Sequence, residues 1–256
     1  MKNKIIITVV SLLTVVSTLQ LISTDLYAIS AKEIIQKSED KVRGNTSRAL
    51  YEITIKTRRW TRTLKTEMYE NRKQRKSFSV ILAPKKDAGN RFLLIKQNMW
   101  HYVPDIQQTI KISPSMMLDS WMGSDFSNDD IVKESSILVD YTHKIIGNET
   151  VEGHKCFKIE LSPKPDAAVV WGKIIYYARE NDYLPVKEEF YNEHNVLKKV
   201  MNCSEFRKMH DRVIPTLYTM KTVSKKDQYT QMKIEKILFN IPIKSRIFSK
   251  QNLAGR

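Results

Sequence analysis

The residues best suited to bind a ligand lie in one short run that is rich in methionine and tryptophan. The run contains Met116, Met117, Leu118, Trp121 and Met122. Methionine is unbranched and adaptable, so such a cluster either fills an irregular gap in a core or lines a surface that grips apolar ligands of varied shape. The sequence leaves both interpretations open at this point.

Motifs for catalysis are missing from the sequence. The five histidines show neither the H-E-x-x-H spacing of zinc hydrolases nor a Cys/His pattern typical of zinc sites. They are His101, His143, His154, His194 and His210. The chain also has no G-x-S-x-G nucleophile motif and no glycine-rich phosphate loop, and it contains 7 glycines in all. We therefore predict a protein that is not an enzyme and that needs no cofactor or metal ion.

An acidic segment, GSDFSNDD, follows the methionine-rich run at residues 123–130. Its three carboxylates belong to Asp125, Asp129 and Asp130. Calcium would need the glycine and the distal glutamate of a calcium-binding loop, and both are missing at the required positions. We instead expect Ser127 or Asn128 to cap a short helix that runs toward Lys133. The last two aspartates would then lie in its first turn, where the helix dipole favours negative charge.

Strands are predicted on both sides of these segments. Ser30 and Glu33 form an S-x-x-E capping box, which predicts an amphipathic helix that ends near Gly44. From Ala49 onward, apolar and polar residues alternate as in half-exposed antiparallel strands. Residues 99–113 predict two strands of a hairpin, with a proline and an aspartate in the turn.

Further strands follow the acidic segment at regular spacing. They are predicted near residues 139–146, 154–162, 171–179, 184–191, 196–207, 213–223 and 229–239. Turn residues such as Gly147 and Asn148 separate them. This arrangement is typical of a meandering sheet that curls.

A W-x-Y-x-P strand, the hairpin strand after it and the GSDFSNDD segment together form a recognisable pattern. The first motif consists of Trp100, Tyr102 and Pro104. Matching patterns continue through residues 139–164, 183–199 and 239–250. The sequence resembles the LolA-like group of outer-membrane lipoprotein-sorting proteins, which are periplasmic carriers. The resemblance implies an α+β fold, a strongly curved antiparallel sheet or half-open β-barrel, with short helices on its concave side and a hydrophobic cavity between them.

The resemblance also implies a function. The chain would bind lipid or lipoprotein acyl chains and shuttle them toward the outer membrane, working with an inner-membrane exporter and an outer-membrane acceptor. Eight residues are predicted to line the cavity: Trp60, Leu64, Trp100, Met116, Met117, Trp121, Met122 and Phe126. Each could equally fill a closed core, since aromatic residues and methionine are ordinary core material. The alternative function is a non-catalytic docking subunit of an envelope lipid exporter, and a hidden hydrolase would need polar groups inside the cavity.

The first 28 residues have the composition of a secretory signal peptide. Lys2 and Lys4 precede a long apolar run, and cleavage is expected after Ala28. An uncleaved inner-membrane anchor is the alternative, because the run approaches the length of a spanning helix. We therefore predict a periplasmic protein with one carrier domain over residues 29–256. Its two cysteines, Cys156 and Cys203, are predicted to be unpaired because disulfide geometry is restrictive.

The chain is strongly basic, with a formal net charge of +15. Two basic runs stand out, RRWTRTLK and NRKQRK, which begin at Arg58 and Asn71. Their basic residues are Arg58, Arg59, Arg62, Lys65, Arg72, Lys73, Arg75 and Lys76. In a cytosolic protein such runs would suggest nucleic acid. For an exported protein we predict attraction to an anionic membrane surface instead of nucleic acid, and solvated strand faces remain the simpler alternative.

Overall fold

The computed structural model describes residues 29–133, 137–167 and 169–255. Within these residues, thirteen strands form one antiparallel sheet in the order β6-β5-β4-β3-β2-β1-β13-β12-β11-β10-β9-β8-β7. The strands are β1 (Thr46–Lys56), β2 (Thr61–Asn71), β3 (Lys76–Ala83), β4 (Arg91–Ile95), β5 (Asn98–Val103), β6 (Gln108–Lys111), β7 (Tyr141–Val151), β8 (His154–Pro163), β9 (Lys173–Arg179), β10 (Pro185–Tyr191), β11 (Leu197–Met209), β12 (Arg212–Thr222) and β13 (Tyr229–Phe239). Three α-helices within the described residues accompany the sheet, α1 (Ala31–Val42), α2 (Asn128–Lys133) and α3 (Lys250–Leu253).

The sheet consists of two meanders that join through the first and last strands. Ile53 on β1 lies opposite Leu64 on β2 and opposite Met232 on β13. The edges are β6 and β7, which follow each other in the chain, and within the described residues each pairs with one neighbouring strand. The sheet therefore stays open, and Trp121, Phe126 and Ile131, from the segment between its edges, pack on its concave side. The predicted fold class is confirmed.

Bulges give the sheet its curvature. The strand register shifts between Leu50 and Tyr51, between Lys65 and Thr66, and again between Ile145 and Gly147. An extra residue on one strand bends that strand and increases its local twist. The sheet therefore curls around the helix and the loop segments that pack on its inner face.

The N-terminal helix α1 packs on the concave face, and its predicted capping box is present. Ser30 Oγ accepts a hydrogen bond from the Glu33 backbone N–H at 3.2 Å, and Glu33 Oε2 accepts one from the Ser30 backbone N–H at 2.9 Å. Ile34 and Ile35, on the apolar face of α1, are fully buried. The cap defines where the helix starts, and burial of its apolar face stabilises it against the sheet.

Two hydrophobic clusters cover the concave face. One contains α1 residues together with Phe126, Tyr141 and Tyr176. The other packs Trp121 against inward residues of β1 to β5, with Leu64 fully buried at its centre. Ile131 and Met232 contact both clusters, so the two clusters meet across the middle of the concave side.

The convex face of β3 to β5 is also covered. Phe248 and Leu253, from the C-terminal segment that includes α3, pack against Phe78 and Leu93. This part of the sheet is therefore buried on both faces. Of the three helices, α3 departs from the predicted position on the concave side.

Both cysteines are buried and free, which confirms that they are unpaired. Cys156 belongs to a cluster with Val151 and Val186, and burial raises the pKa of its thiol to about 11. No helix among the described residues combines the length and the apolar character needed to cross a membrane. The predicted signal peptide, residues 1–28, lies outside the described part of the chain.

Candidate ligand-binding cavity

A cavity of about 250 Å³ lies between the concave face of the sheet and the elements that cover it. Most of its wall is apolar, and strands from both halves of the sheet contribute. Five methionines line it: Met68, Met99, Met201, Met220 and Met232. Flexible thioether side chains adapt to ligands of varied shape, so this wall is chemically suited to hydrocarbon.

One end of the cavity is formed by the end of the methionine-rich run and by the acidic segment that follows it. Trp121 and Phe126 line the cavity, and both side chains are buried. Trp121 also contacts Phe92 on β4, with the ring centroids 5.5 Å apart. Its indole N–H is buried and has no hydrogen-bond partner among the described residues.

Asp125 fastens this segment to the sheet. Its carboxylate accepts hydrogen bonds from Thr222 Oγ1 at 2.8 Å and from Thr230 Oγ1 at 2.9 Å. The Asp125 backbone N–H donates to Thr230 Oγ1 at 2.8 Å. The carboxylate is therefore held by strands β12 and β13, in the half of the sheet opposite β2 to β6.

A second contact joins the end of the methionine-rich run to strand β2. The Arg62 guanidinium donates to the Met122 carbonyl oxygen and lies 3.2 Å from Asp87 Oδ1. The next residue, Gly123, has φ of +77°, and a Cβ there would lie 3.6 Å from the ring of Trp60. Between Trp121 and Phe126, which both line the cavity, the chain therefore passes close to the β1–β2 hairpin.

The predicted cap of α2 is confirmed. Ser127 Oγ accepts from the Asp130 backbone N–H at 3.1 Å, and Asp130 Oδ2 accepts from the Ser127 backbone N–H at 2.8 Å. Asp130 also receives the Trp171 indole N–H at 3.1 Å and the Lys199 ammonium at 2.7 Å. Its oxygens are therefore occupied by donors. Within the described residues, no three His, Cys, Asp or Glu side chains are grouped as metal ligands would be.

The predicted wall residues are divided among several places. Trp121 and Phe126 line the cavity. Leu64, Met117 and Met122 pack against Trp121 in the cluster behind the wall. These three side chains support the wall from behind and do not line it.

The remaining three predicted residues lie farther away. Met116 is half-buried and does not line the cavity. Trp60 is 41% exposed, and the Arg62 guanidinium lies 5.1 Å from its ring centroid. Trp100 faces the convex side, because its neighbour Met99 faces the cavity and successive strand residues point to opposite faces. There the ammonium group of Lys250 lies 4.8 Å from the Trp100 ring centroid.

The other end of the cavity is charged. Arg43 pairs with Glu39 at 3.3 Å and with Glu70, and all three side chains line the cavity. Arg72 pairs with Asp40 at 2.6 Å. Three more basic residues line this end, on the turns that connect β2 to β3 and β4 to β5 and at the start of β3: Arg75, Lys96 and Lys76.

Three solved structures share this fold along nearly their whole length. A DUF1329 family protein from Desulfovibrio piger has a TM-score of 0.79 at 19% identity, with 87% of this chain and 97% of that chain covered. A Vibrio parahaemolyticus domain described as an outer membrane lipoprotein-sorting protein has a TM-score of 0.76 at 18% identity, covering 88% and 98%. A LolA superfamily protein from Nitrosomonas europaea has a TM-score of 0.74 at 19% identity, covering 88% and 100%. The fold predicted from the resemblance is therefore confirmed.

A family model described as "Uncharacterized protein" matches residues 73–255, which is well over half of the chain. The chain belongs to this family. The matched region begins in the turn between β2 and β3, so α1 and β1, which also contribute to the cavity, precede it. None of the curated proteins matches the sequence.

Proposed function

We propose that this protein is a non-enzymatic carrier that binds lipid or lipoprotein acyl chains in its concave cavity. The observation that carries the proposal is the methionine-lined cavity on a LolA-like sheet. One solved structure with this fold is described as an outer membrane lipoprotein-sorting domain, and another belongs to the LolA superfamily. The finer proposal is that the chain is exported, with residues 1–28 as its signal, and carries its cargo toward the outer membrane. An inner-membrane exporter would deliver that cargo, and an outer-membrane acceptor would receive it.

The energy of hydrocarbon in water explains why a carrier needs such a cavity. Each methylene costs about 0.8 kcal/mol to expose, so one long acyl chain costs on the order of 10 kcal/mol. An open apolar patch would shield only one side of the chain. The cavity of about 250 Å³ is slightly smaller than the usual range of ligand pockets, which suits one hydrocarbon chain better than several.

Native mass spectrometry of the protein, before and after incubation with a fatty acid, tests the proposal. We expect a bound species that disappears when Met232→Trp fills the centre of the cavity. Leu238→Trp is the matched control, since it lies on the same strand and is 43% exposed outside the cavity. Fatty acid bound equally by both variants would contradict the proposal.

A docking subunit of an envelope lipid exporter is the second candidate, and the modest cavity volume favours it. Such a subunit would use the same fold without carrying cargo. Protein that neither co-purifies with lipid nor takes up the fatty acid would support this alternative. Recovery of a bound ester probe intact would support carriage without hydrolysis.

A further inference from the structure

Four basic side chains form a cluster at the charged end of the cavity, which we call the basic rim. The basic rim consists of Lys73, Arg75, Lys76 and Lys96, and together with Gln74 these residues line a surface depression. Lys73, Arg75 and Lys96 lie on the β2–β3 and β4–β5 turns, and Lys76 is the first residue of β3. The Lys96 backbone N–H donates to the Arg75 carbonyl oxygen at 2.7 Å, which joins the two turns. This backbone hydrogen bond keeps the two turns adjacent, so the four side chains stay close together whatever rotamers they adopt.

The basic rim lacks acidic partners. Among the described residues, none of the ion pairs involves any of its four side chains, although Arg43 and Arg72 nearby are paired with carboxylates. Like charges held close together repel each other and raise the local concentration of anions. The basic rim is thus the part of the cavity surface where binding of an anionic group would be most favourable in free energy.

The basic rim and the apolar cavity are continuous. Arg75, Lys76 and Lys96 line both the surface depression and the cavity. A hydrocarbon chain lying in the cavity, with its far end toward Trp121, would bring a polar head to these three residues. This geometry matches an amphiphile with one apolar and one anionic end.

We propose that the ligand is an anionic lipid whose phosphate or carboxylate head binds the basic rim while its hydrocarbon occupies the cavity. This inference rests on the proposed carrier function and specifies its ligand class. Charge-assisted hydrogen bonds from Arg75 and three lysines would hold the head. The basic residues at the β1–β2 hairpin, Arg58 and Arg59, do not line the cavity and are not part of this site.

The test compares lysophosphatidylglycerol with lysophosphatidylcholine, two lipids that can carry the same acyl chain but differ in head charge. Isothermal titration of the full chain should show the anionic lipid binding about tenfold more tightly, as one or two charge-assisted hydrogen bonds would give. The variant K73Q/R75Q/K76Q/K96Q should lose this preference and keep its affinity for lysophosphatidylcholine. The preference of the unmodified protein should also shrink as salt is added.

The control variant R59Q/K85Q/K86Q/K226Q removes the same number of arginines and lysines from exposed positions outside the cavity. It should retain the preference, and melting temperatures of both variants should show that they fold. Equal affinity of the unmodified protein for the two lipids, or loss of both affinities in the rim variant, would overturn the inference and leave the carrier function standing. Absence of binding to either lipid would overturn the carrier function itself.

Two further probes separate a cargo headgroup from other sources of anions. Glycerol phosphate, which has the head without the chain, should not bind measurably. Binding as tight as that of the lipid would indicate a free-anion site and overturn the inference.

Flotation with phosphatidylglycerol vesicles should be equal for the rim and control variants. Vesicle binding lost only in the rim variant, without loss of lipid uptake, would indicate membrane docking and also overturn it.

Discussion

Asp125 connects the acidic segment to strands β12 and β13 through a carboxylate that is only 6% exposed. Replacement by alanine would leave the hydroxyls of Thr222 and Thr230 without their acceptor. We expect Asp125→Ala to lower the free energy of unfolding by about 2 kcal/mol, the typical cost of buried polar groups left unpaired. Urea denaturation measures this change. Asp119→Ala, at an exposed position shortly before the acidic segment, should change stability little, and equal losses in the two variants would contradict the anchoring role of Asp125.

His101 makes the fold sensitive to acid. Its ring stacks on Phe92 with centroids 4.3 Å apart, and its Nε2 lies 2.8 Å from Asn90 Oδ1. Asn90 Nδ2 donates to the Asp87 carbonyl oxygen, so Oδ1 is the acceptor and the neutral His101 ring donates from Nε2. Burial lowers the pKa of His101 from 6.5 to about 4.

The direction of the pH effect follows from this pKa. As pH falls from about 6.5 toward 4, the unfolded chain binds a proton at His101 before the folded chain does, so folding stability is lost across that window. We expect the melting temperature of His101→Phe to fall less than that of the unmodified protein between pH 7.5 and pH 4.5. His194→Gln serves as control because His194 is exposed, and it should behave like the unmodified protein. An equal fall in His101→Phe would contradict this assignment.

The sequence could predict which residue types would face hydrocarbon, but it identified only part of the wall. Of the eight predicted residues, the structure places Trp121 and Phe126 at the cavity surface. The five cavity methionines were missed, because they are spread over separate strands and meet only when the sheet curls. Their alternation with polar neighbours, as at Met220 and Met232, was the available signal.

At the scale of elements, helix caps and strands could be predicted from the sequence because they depend on residues that are close together in the chain. Both predicted helix caps, at Ser30 and Ser127, form as their sequences indicate. Strand faces were harder to assign, because alternation does not say which face is inside. Phe78 lies on the convex side beneath the C-terminal segment, whereas Ile81 on the same strand packs in the concave cluster.

The C-terminal segment should therefore contribute strongly to the stability of the β3 to β5 region. Phe248 is buried between this segment and the convex face, in contact with the cluster around Leu93. We expect Phe248→Ala to cost about 4 kcal/mol, the usual loss for a large buried aromatic side chain. Guanidinium denaturation measures it, with Arg246→Ala at an exposed position as control. A cost below that of the control would show that the segment covers the sheet without stabilising it.

Over the whole molecule, one open sheet serves two purposes. Its curvature creates the concave cavity, and Trp121 and Phe126, from the segment between its two edge strands, form one end of that cavity. Neither feature is local in sequence. The fold resemblance predicted the cavity, whereas its size and its charged end required the coordinates.

The finite cavity volume predicts how affinity depends on chain length. In a series of saturated fatty acids, each added methylene should raise affinity about fourfold while it enters the cavity, the equivalent of about 0.8 kcal/mol. Beyond the length that fills the cavity of about 250 Å³, further methylenes stay in water and affinity should level off. Met220→Ala, which removes a buried wall side chain, should move this limit to longer chains, whereas Leu238→Ala should not. Competition titrations measure the limit, and a continuous rise with no plateau would mean that the chains bind on an open surface instead.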